Sequence, residues 1–354
     1  MTIERPSDNT IVPIAEALEW QRRYVLEAGS PVAARILDAV LRTLEEGGPL
    51  REVLPAQARF GDLMGLRVMA AVHRLALERR ASAVALHLPT LGGLAPAPDQ
   101  EEDFAKAVVD ALEAHPDELR ASINRTPQTN EVGRAALLRC ALSRLGPDAE
   151  VRLNEIGCSA GLNLRADRLP GQDGLESGPL PTVVERRGCD LDPVDPATQE
   201  GRIHLSSYIW VDVVVRFQRL GRALAVAAEV PATVVRRDAV TFLEELSVPD
   251  SATTVVWHSA MWPYLQDDEK SAILAAIARL GRSAGPGRPF VHVSWEWSLE
   301  RADLVRGFEL VVRQWTGHSD DGRPVRLARA RGHGDGASLV SPGGEPLDAE
   351  PLDG

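Results

Sequence analysis

The stretch VRLNEIGCSAGLNLR, residues 151 to 165, joins an apolar run to a glycine turn and then to a second apolar run. The first part has the composition of a buried strand, and Glu155 stands near its end. Gly157, Ser159 and Gly161 follow as a turn, after which a helix is expected to start. Glycine at such a turn allows the backbone to approach a ligand closely. The stretch therefore predicts a strand, a turn and a helix start that hold a nucleotide-type cofactor.

Two other interpretations fit the same residues. Residues 157–161 spell G-x-S-x-G, the turn that presents the nucleophile of serine hydrolases, and the chain order Ser159, Asp238, His258 agrees with that of their catalytic residues. Such enzymes place several strands before the nucleophile, whereas the chain before Val151 reads as helices. The turn is also compatible with an ordinary strand-to-helix connection whose glycines serve geometry alone.

The bulk composition excludes several classes of partner. The 354 residues correspond to about two domains, and the net charge is −12. An acidic surface repels a phosphate backbone, so we expect no nucleic-acid partner. The sequence has no signal-peptide pattern and no run of about 18 apolar residues, so we expect no membrane association. The three cysteines form no C-x-x-C pair, which predicts reduced thiols in the cytoplasm and no metal site.

The first part of the chain reads as helices. Ser30 and Pro31 offer an N-cap and a first helical residue, and Gly47 is expected to end the helix that follows. Further helical patterns cover residues 63–80, 101–114 and 130–145, and only residues 84–88 read as extended. We predict an all-helical N-terminal domain over residues 1–147.

After Pro147, short β-branched runs alternate with helical segments, as is typical of a parallel sheet wound with helices. The runs are residues 151–156, 182–187, 233–237, 253–258 and 289–295. Two later runs, residues 308–315 and 325–332, are joined by a polar turn and predict a closing antiparallel hairpin. We predict an α/β domain with a mostly parallel, Rossmann-like sheet over residues 148–332, followed by a flexible tail over residues 333–354.

Acidic residues stand after the second and third of these runs. A carboxylate at Asp190 or Asp192 offers two oxygens for the two hydroxyls of a ribose, and a turn held by these side chains is the alternative. Asp238 is placed to accept from an exocyclic adenine amine, with an N-cap of the following helix as the alternative. The fourth run ends in an aromatic and polar cluster, residues 257–262, where a parallel sheet opens its crevice.

In this order the motifs resemble those of a class I S-adenosylmethionine-dependent methyltransferase, over residues 151 to about 332. The resemblance implies S-adenosylmethionine as the cofactor. The positions that it implies are Glu155, Gly157 and Gly161 at the methionine part, Asp190 at the ribose, Asp238 at the adenine amine and His258 at the catalytic position. Ser159 is assigned to the same cofactor-binding turn.

The sequence departs from that pattern in three places. Ser159 replaces the middle glycine of the turn, and its side chain takes up space or donates a hydrogen bond there. Glu155 and Asp190 are 35 residues apart, which leaves room for an inserted loop. No D/N-P-P-Y/F tetrapeptide follows the fourth run, so amino-methylation of the kind that this motif supports is not indicated.

The whole chain is also similar to a bacterial family known only as a domain of unknown function. The residues that carry this likeness are NRTPQTNEVGR (124–134), NEIGCSAGLNLR (154–165), RRGCDLDPVD (186–195) and HSAMWPYL (258–265). The likeness implies that the helical part and the methyltransferase-like part belong together.

The acceptor side is predicted from polar residues near the strand ends. His258 is the candidate base for an acceptor that must lose a proton, and a hydrogen-bonded structural histidine is the alternative. His292 lies within a strand and reads as structural. Substrate binding is assigned to Asn130, Glu131, Trp262 and Glu296. The polar segment 124–134 is expected either to cover the crevice as a lid or to begin a helix.

We therefore expect a methyltransferase that acts on a small-molecule or protein acceptor. A non-catalytic ligand-binding or scaffold protein on the same fold is the alternative, and it predicts a crevice blocked by side chains such as Cys158 or Trp257. A serine hydrolase is the second alternative, and it predicts an exposed Ser159 within hydrogen-bond reach of a histidine. The sequence specifies neither the acceptor nor the oligomeric state.

Overall fold

The computed structural model describes residues 6–172, 175, 178–297, 307–318, 321–330, 337–340 and 344–347. The helices are α1 (Ile14–Glu27), α2 (Pro31–Glu46), α3 (Met64–Leu77), α4 (Ser82–Ala85), α5 (Glu101–Ala114), α6 (Pro116–Asn124), α7 (Arg134–Leu142), α8 (Gln199–Ser207), α9 (Val214–Glu229), α10 (Ala239–Glu245) and α11 (Asp267–Arg282). The strands are β1 (Ile11–Pro13), β2 (Gln57–Arg59), β3 (Glu150–Ile156), β4 (Thr182–Asp190), β5 (Thr233–Arg236), β6 (Thr253–Ser259), β7 (Phe290–Trp297), β8 (Phe308–Trp315), β9 (Val325–Ala330), β10 (Ser338–Leu339) and β11 (Glu345–Pro346).

The chain divides into two compact units. A helical unit comprises Met1–Thr129 and Pro196–Gly221, and a sheet unit comprises Asn130–Asp195 and Arg222–Gly354. The division differs from the predicted boundary at residue 147, which treats each part as one continuous segment. Helix α7 falls in the sheet unit, where it packs against the 3₁₀ helix Leu162–Arg168.

The segment Pro196–Gly221 belongs to the helical unit because its apolar side chains complete that unit's core. Tyr208 and Trp210 are buried there together with residues of α1, α2, α3 and α5. The ring of Trp210 packs edge-on against Tyr24 of α1, with the ring centroids 5.9 Å apart. The sequence pattern of this segment is helical and does not by itself reveal which core it joins.

The start of α2 is stabilised by a residue that is distant in the chain. The predicted N-cap residue, Ser30, makes no side-chain capping bond. Its hydroxyl instead donates to the carboxylate of Asp212, and that carboxylate also accepts from the backbone N–H of Val32 at 2.7 Å. The predicted helix end is confirmed, since Gly47 takes the left-handed conformation with φ of 81°.

Two local predictions for the helical unit are wrong. Residues 84–88, predicted as extended, contain the end of α4 and a turn, and Val84 is fully buried against the helical core. The N-terminal part also contains two short antiparallel strands, β1 and β2. Pairing over three residues depends on contacts across 44 or more positions of sequence, such as Ile11 with Arg59, which local periodicity does not report.

A buried histidine links the segment Pro196–Gly221 to α3. The Nδ1 of His73 lies 2.9 Å from the carbonyl oxygen of Ile209, and its Nε2 lies 3.1 Å from the hydroxyl of Thr90. The ring is completely buried, and burial lowers its pKa to about 4. The folded protein therefore holds His73 as a neutral imidazole.

We expect His73 to make the protein sensitive to acid. Between pH 6.5 and about 4 the unfolded chain protonates this ring and the folded protein does not, so stability falls as the pH is lowered. From pH 6.5 to 4.5 the wild type should lose about 2 kcal/mol of unfolding free energy that a His73→Asn variant does not lose. Urea titrations at several pH values measure this. The control is His318→Asn, an exposed histidine whose replacement should leave the pH dependence as in the wild type.

The sheet unit is built on one nine-stranded sheet. Its order is β10-β9-β8-β7-β6-β3-β4-β5, and β11 also pairs with β9. The five strands from β3 to β7 are parallel, while β8 runs antiparallel to β7 and β9 antiparallel to β8. The predicted fold class, α/β with a mostly parallel, Rossmann-like sheet and a closing hairpin, is confirmed.

The order of the parallel strands fixes where a ligand is expected. The chain runs outward from β3 to β4 and β5, then returns past β3 to β6 and β7. The direction of winding therefore reverses between β3 and β6. Doubly wound sheets bind their ligands at this reversal, outside the carboxyl ends of the strands. In this sheet those ends are the residues that follow Ile156 and Ser259.

The predicted flexible tail contains ordered pairing in its described residues. β10 and β11 both pair with β9, for example Leu339 with Ala328 and Glu345 with Arg326. The carboxylate of Glu345 also accepts from Arg326 at 2.9 Å. The composition of the tail, rich in Gly, Pro and Asp, does not predict these two-residue strands. In the described part of the chain, no helix is both long and apolar enough to cross a membrane.

Candidate functional site

The turn after β3 folds back onto the neighbouring strand β4. The N–H of Cys158 donates to the carbonyl oxygen of Cys189 at 3.0 Å, and the N–H of Gly161 closes the turn on the carbonyl oxygen of Cys158 at 2.7 Å. Gly157, Ser159 and Gly161 have φ values of 65°, 53° and 64°. Three left-handed residues within five make a tight turn, and the one that is not glycine is Ser159.

The two glycines have packing partners that explain their lack of a side chain. A Cβ on Gly161 would lie 2.9 Å from Cγ2 of Val234 and 3.0 Å from Cδ1 of Leu164. A Cβ on Gly157 would lie 3.3 Å from Sδ of Met261. Met261 follows β6, so the turn after β3 and the loop after β6 pack against each other at the reversal of the sheet.

Asp190, at the end of β4, holds the same turn in place. One carboxylate oxygen accepts from the N–H of Ser159 at 2.8 Å, and the other accepts from the N–H of Asp192 at 2.9 Å. A carboxylate has about four lone-pair sites and can accept more than two hydrogen bonds. The next residue, Leu191, is 65% exposed and offers an apolar surface beside the carboxylate.

Glu155 is the most unusual residue of the site. Its side chain is 1% exposed, and its Oε2 has no hydrogen-bond partner among the described residues. Burial raises the pKa of this carboxyl to about 8, although Asn163, Trp257 and Arg134 act in the opposite direction. Burial therefore favours the neutral, protonated form of this carboxyl.

Other buried polar atoms close to this turn are also left without partners. Within the described ranges they are Oγ of Ser159, Oδ1 of Asn163 and Nε1 of Trp257. Buried polar atoms in folded proteins nearly always have a partner, and these four lie near one another at the carboxyl end of β3. Asn163 and Trp257 both act on the carboxyl of Glu155, which places them beside it.

The position of Ser159 contradicts the serine-hydrolase alternative. Its side chain is 5% exposed, and its hydroxyl makes no hydrogen bond to any described residue, a histidine included. A nucleophilic serine requires an adjacent base and access to the substrate. In addition, the ring nitrogens of His258 are both bonded to other groups. The G-x-S-x-G pattern here is a strand-to-helix turn.

Asp238 lies after β5 and caps the following helix. Its carboxylate accepts from the N–H of Thr241 at 2.8 Å, and this bond is the main cause of the lowered pKa of the group. The N-cap alternative is thus confirmed for this residue. Its assignment to an adenine amine stays a prediction.

His258 lies at the centre of a buried chain of three titratable groups. Its Nδ1 lies 2.9 Å from Oε1 of Glu296, and its Nε2 lies 3.0 Å from Nε2 of His292. Burial, with His258 and Arg313 acting in the same direction, lowers the pKa of His292 well below its ordinary value. A neutral His292 can donate its Nε2–H to His258, which in turn donates Nδ1–H to Glu296.

This chain engages both ring nitrogens of His258, whose exposure is 1%. The structural alternative therefore accounts for its present contacts, and its role as a base stays a prediction. The ring also stacks on Trp262, with the centroids 4.4 Å apart. His292 was expected to be structural, and its burial agrees with that expectation.

Glu296, at the end of β7, organises the loop after β6. Besides His258, its carboxylate accepts from the N–H of Met261 at 3.1 Å and from the N–H of Trp262 at 3.3 Å. Of the residues predicted to bind the acceptor, Glu296 and Trp262 thus lie together. They support the loop whose Met261 faces Gly157.

The other two predicted acceptor residues precede α7. Asn130 has φ of 27° and accepts from the N–H of Leu162, the residue after Gly161, at 3.1 Å. Glu131 is 4% exposed and accepts from the N–H of Gly133 at 2.9 Å. Asn130 is thus joined to the candidate cofactor turn, while Glu131 stabilises the approach to α7.

Sequence reasoning assigned no role to three residues of the site, although Met261 lies in the predicted cluster 257–262. Arg134 donates to the carbonyl oxygen of Ser259 at 3.2 Å and lowers the pKa of Glu155. Asn163 lies beside the carboxyl of Glu155, and Met261 packs against Gly157 of the turn after β3. A signal existed for Asn163, since it is the polar residue in the apolar run GLNL, and for Arg134, which ends the polar segment 124–134.

Comparison with known sequences identifies the family. The chain matches the family described as "Uncharacterized protein conserved in bacteria (DUF2332)" over residues 15–172 and 169–338. The match extends over most of the sequence, and the chain belongs to this family. A comparison with curated proteins finds no match.

Several solved structures show a limited likeness. The plantazolicin methyltransferase BpumL, in complex with a triazolic desmethylPZN analog and SAH, is 13% identical over 53% of this chain and 57% of its own, with a TM-score of 0.25. The sugar N-methyltransferase KedS8 from Streptoalloteichus is 18% identical over 56% of this chain and 66% of its own, also with a TM-score of 0.25. TrmN from Thermus thermophilus is 16% identical over 61% and 65%, with the same TM-score.

The chain spans about one half to two thirds of the length of these structures. At such TM-scores the likeness carries no weight for the fold or for the site. The description of the fold rests on the strand order of the sheet, and the description of the site rests on the contacts of the turn after β3.

Proposed function

We propose that this member of the bacterial family DUF2332 is an S-adenosylmethionine-dependent methyltransferase that acts on a small-molecule or protein acceptor. The observation that carries the proposal is the group of unpartnered buried polar atoms on Glu155, Ser159 and Asn163. They surround the turn after β3, where the winding of the sheet reverses and where doubly wound sheets bind ligands. A small polar ligand that enters this turn supplies the missing partners.

The residues of the turn fit the three parts of this cofactor. Glu155 and Asn163 offer oxygen acceptors to the ammonium group of the methionine part. Asp190 offers its carboxylate to the ribose hydroxyls, and Leu191 offers an exposed apolar surface to the flat adenine ring. Asp238 is the candidate for the adenine amine, to which a carboxylate that already caps a helix still has lone pairs to offer.

The bound cofactor supplies a methyl group on a sulfonium, and the protein contributes mainly position. Methyl transfer depends on alignment of the acceptor with the methyl carbon, so groups that fix the acceptor matter most. Asn130, Glu131, Trp262 and Glu296 are the proposed acceptor-side residues. For an acceptor that must lose a proton, His258 is the proposed base. In that role the Nε2 of His258 gives up its hydrogen bond to His292 and accepts one from the acceptor instead. Glu296 keeps the ring oriented through its hydrogen bond to Nδ1.

The thiols support a location in the reducing cytoplasm. The three cysteines, Cys140, Cys158 and Cys189, are free and buried. Burial raises the pKa of Cys158 and Cys189, so these thiols stay protonated and unreactive at neutral pH.

Calorimetric titration with S-adenosylmethionine and with S-adenosylhomocysteine tests the proposal. We expect both compounds to bind the wild type, and Asp190→Ala to weaken binding about 30-fold, because a hydrogen bond to a charged group contributes about 2 kcal/mol. The control is Asp250→Ala, an exposed carboxylate before β6 at the opposite edge of the sheet, which should bind as the wild type does. Absence of heat and of thermal stabilisation with both compounds at about 1 mM would contradict the proposal.

The second candidate is a non-catalytic ligand-binding protein on the same fold. One observation favours it, namely that Sδ of Met261 stands 3.3 Å from the place where a Cβ of Gly157 would be, so part of the space beside the turn is filled. Methionine is flexible and can move aside for a ligand. The side chains first suspected of blocking the crevice do not distinguish the candidates, since Cys158 packs toward Gly188 and Trp257 is fully buried in β6.

A further inference from the structure

The carboxyl of Glu155 is buried at a place where a negative charge is costly. It sits at the end of β3, opposite Trp257 of β6 in the strand register, with 1% of its surface exposed. An ionised carboxylate buried in this way needs two or more donors. Its Oε2 has no donor in good hydrogen-bond geometry among the described residues, although the side chains of Asn163 and Trp257 lie close enough to lower the pKa of the carboxyl.

We infer that Glu155 is a neutral carboxylic acid in the ligand-free protein and that it releases its proton when the ammonium group of the cofactor's methionine part binds. This inference rests on the proposed function. The step moves one proton from the carboxyl of Glu155 to bulk water, and no other bond changes. The carboxylate that results then pairs with the ammonium, which supplies the donor that Oε2 lacks.

The charged and titratable groups around Glu155 are consistent with a neutral carboxyl. They are Arg134 of α7, Arg165 of the 3₁₀ helix after the turn, Cys158 of the turn, and Cys189 and Asp190 of β4. Of the two cationic groups, Arg134 donates to Ser259 at 3.2 Å, and Arg165 donates to the carbonyl oxygens of Gly161 and Val230 at 2.7 and 2.8 Å.

Asp190 disfavours a second negative charge at Glu155, whereas the thiols carry no charge at neutral pH. Burial is the largest influence on Glu155 and holds its pKa at about 8. A cation placed next to the carboxyl reverses the balance, because a buried pair of opposite charges is far less costly than a single buried charge.

Titration calorimetry in buffers of different ionisation enthalpy counts the released proton. With S-adenosylhomocysteine at pH 7 in phosphate and in Tris, we expect the wild type to release about one proton per bound ligand. Adenosine, which lacks the ammonium group, should release none. Between pH 6 and 7.5 the affinity for S-adenosylhomocysteine should rise about tenfold per pH unit.

Glu155→Gln keeps the size of the side chain and removes the titration. This variant should release no proton and should bind with an affinity that does not change between pH 6 and 7.5. Glu185→Gln, on the neighbouring strand β4 with a partly exposed side chain, is the matched control and should behave as the wild type does. Even if Glu155→Gln does not fold, the proton count on the wild type decides the question.

The outcomes separate this inference from the proposed function. If S-adenosylhomocysteine binds without proton release, the proposed function stands and the inference is overturned. Proton release that persists in Glu155→Gln assigns the proton to another group and also overturns it. If neither S-adenosylmethionine nor S-adenosylhomocysteine binds, both fall.

Discussion

A Gly161→Ala variant is expected to unfold about 3 to 7 °C below the wild type. A side chain in the left-handed conformation that Gly161 adopts costs about 1 to 2 kcal/mol. The new methyl group would also lie 2.9 Å from Cγ2 of Val234 and 3.0 Å from Cδ1 of Leu164. Such an overlap in a packed region costs about 1 to 3 kcal/mol, and the sum gives the expected shift of the unfolding temperature.

The matched control for this variant is Gly221→Ala in α9. No atom outside the adjoining chain lies within 4 Å of the place where its Cβ would be, and its conformation is not left-handed. Alanine favours a helix by about 1 kcal/mol over glycine, so this variant should unfold at the same temperature or slightly higher. Thermal scans of the three proteins compare them directly. Equal unfolding temperatures for wild type and Gly161→Ala would contradict the packing described at the turn.

The stability of the protein relative to Glu155→Gln should fall as the pH rises. The folded protein keeps a proton on Glu155 up to about pH 8, whereas the unfolded chain loses it near the ordinary pKa of 4.5. Between these values the unfolded state binds fewer protons than the folded state, so each pH unit removes about 1.4 kcal/mol of unfolding free energy. From pH 5 to pH 7 the wild type should therefore lose about 3 kcal/mol relative to the glutamine variant.

Urea titrations of both proteins at pH 5, 6 and 7 give this difference. Because all other titrating groups are shared, they cancel when the two unfolding free energies are subtracted. Glu185→Gln should show no such trend relative to the wild type, since its side chain reaches solvent. A difference between wild type and Glu155→Gln that stays constant from pH 5 to pH 7 would mean that Glu155 is ionised in the folded protein. The trend is opposite in sign to that of His73, which destabilises the protein on the acid side.

The sheet was predictable because its main strands have a recognisable local sequence pattern. The run 151–156 becomes β3 with one residue added, and the run 308–315 becomes β8 without change. Each is a β-branched or apolar segment of strand length, flanked by polar or glycine-containing turns. Strands β1 and β11 have neither the length nor the pattern, and they exist because distant partners, such as β2 and β9, are available.

The candidate site was predictable only in part, for a related reason. Glu155, Ser159 and Asp190 meet because the carboxyl ends of neighbouring parallel strands share one edge of the sheet, which the order of motifs already implies. Met261 and Arg134 reach the same place through the packing of a loop and of α7, and their local patterns do not specify this contact. For His258 and Asp238 the sequence left two interpretations open, and the structural interpretation accounts for the contacts of both.

Asp212, whose carboxylate caps α2, is synthesised long after that helix. Asp212 follows Val32 by 180 residues, a distance that takes roughly 10 to 35 seconds to synthesise. During that interval β3 and β4 have already emerged, while the helices before them still lack Tyr208 and Trp210. During this time the apolar faces of the nascent helices stay exposed. Exposed apolar surface of this kind is what chaperones bind on a growing chain.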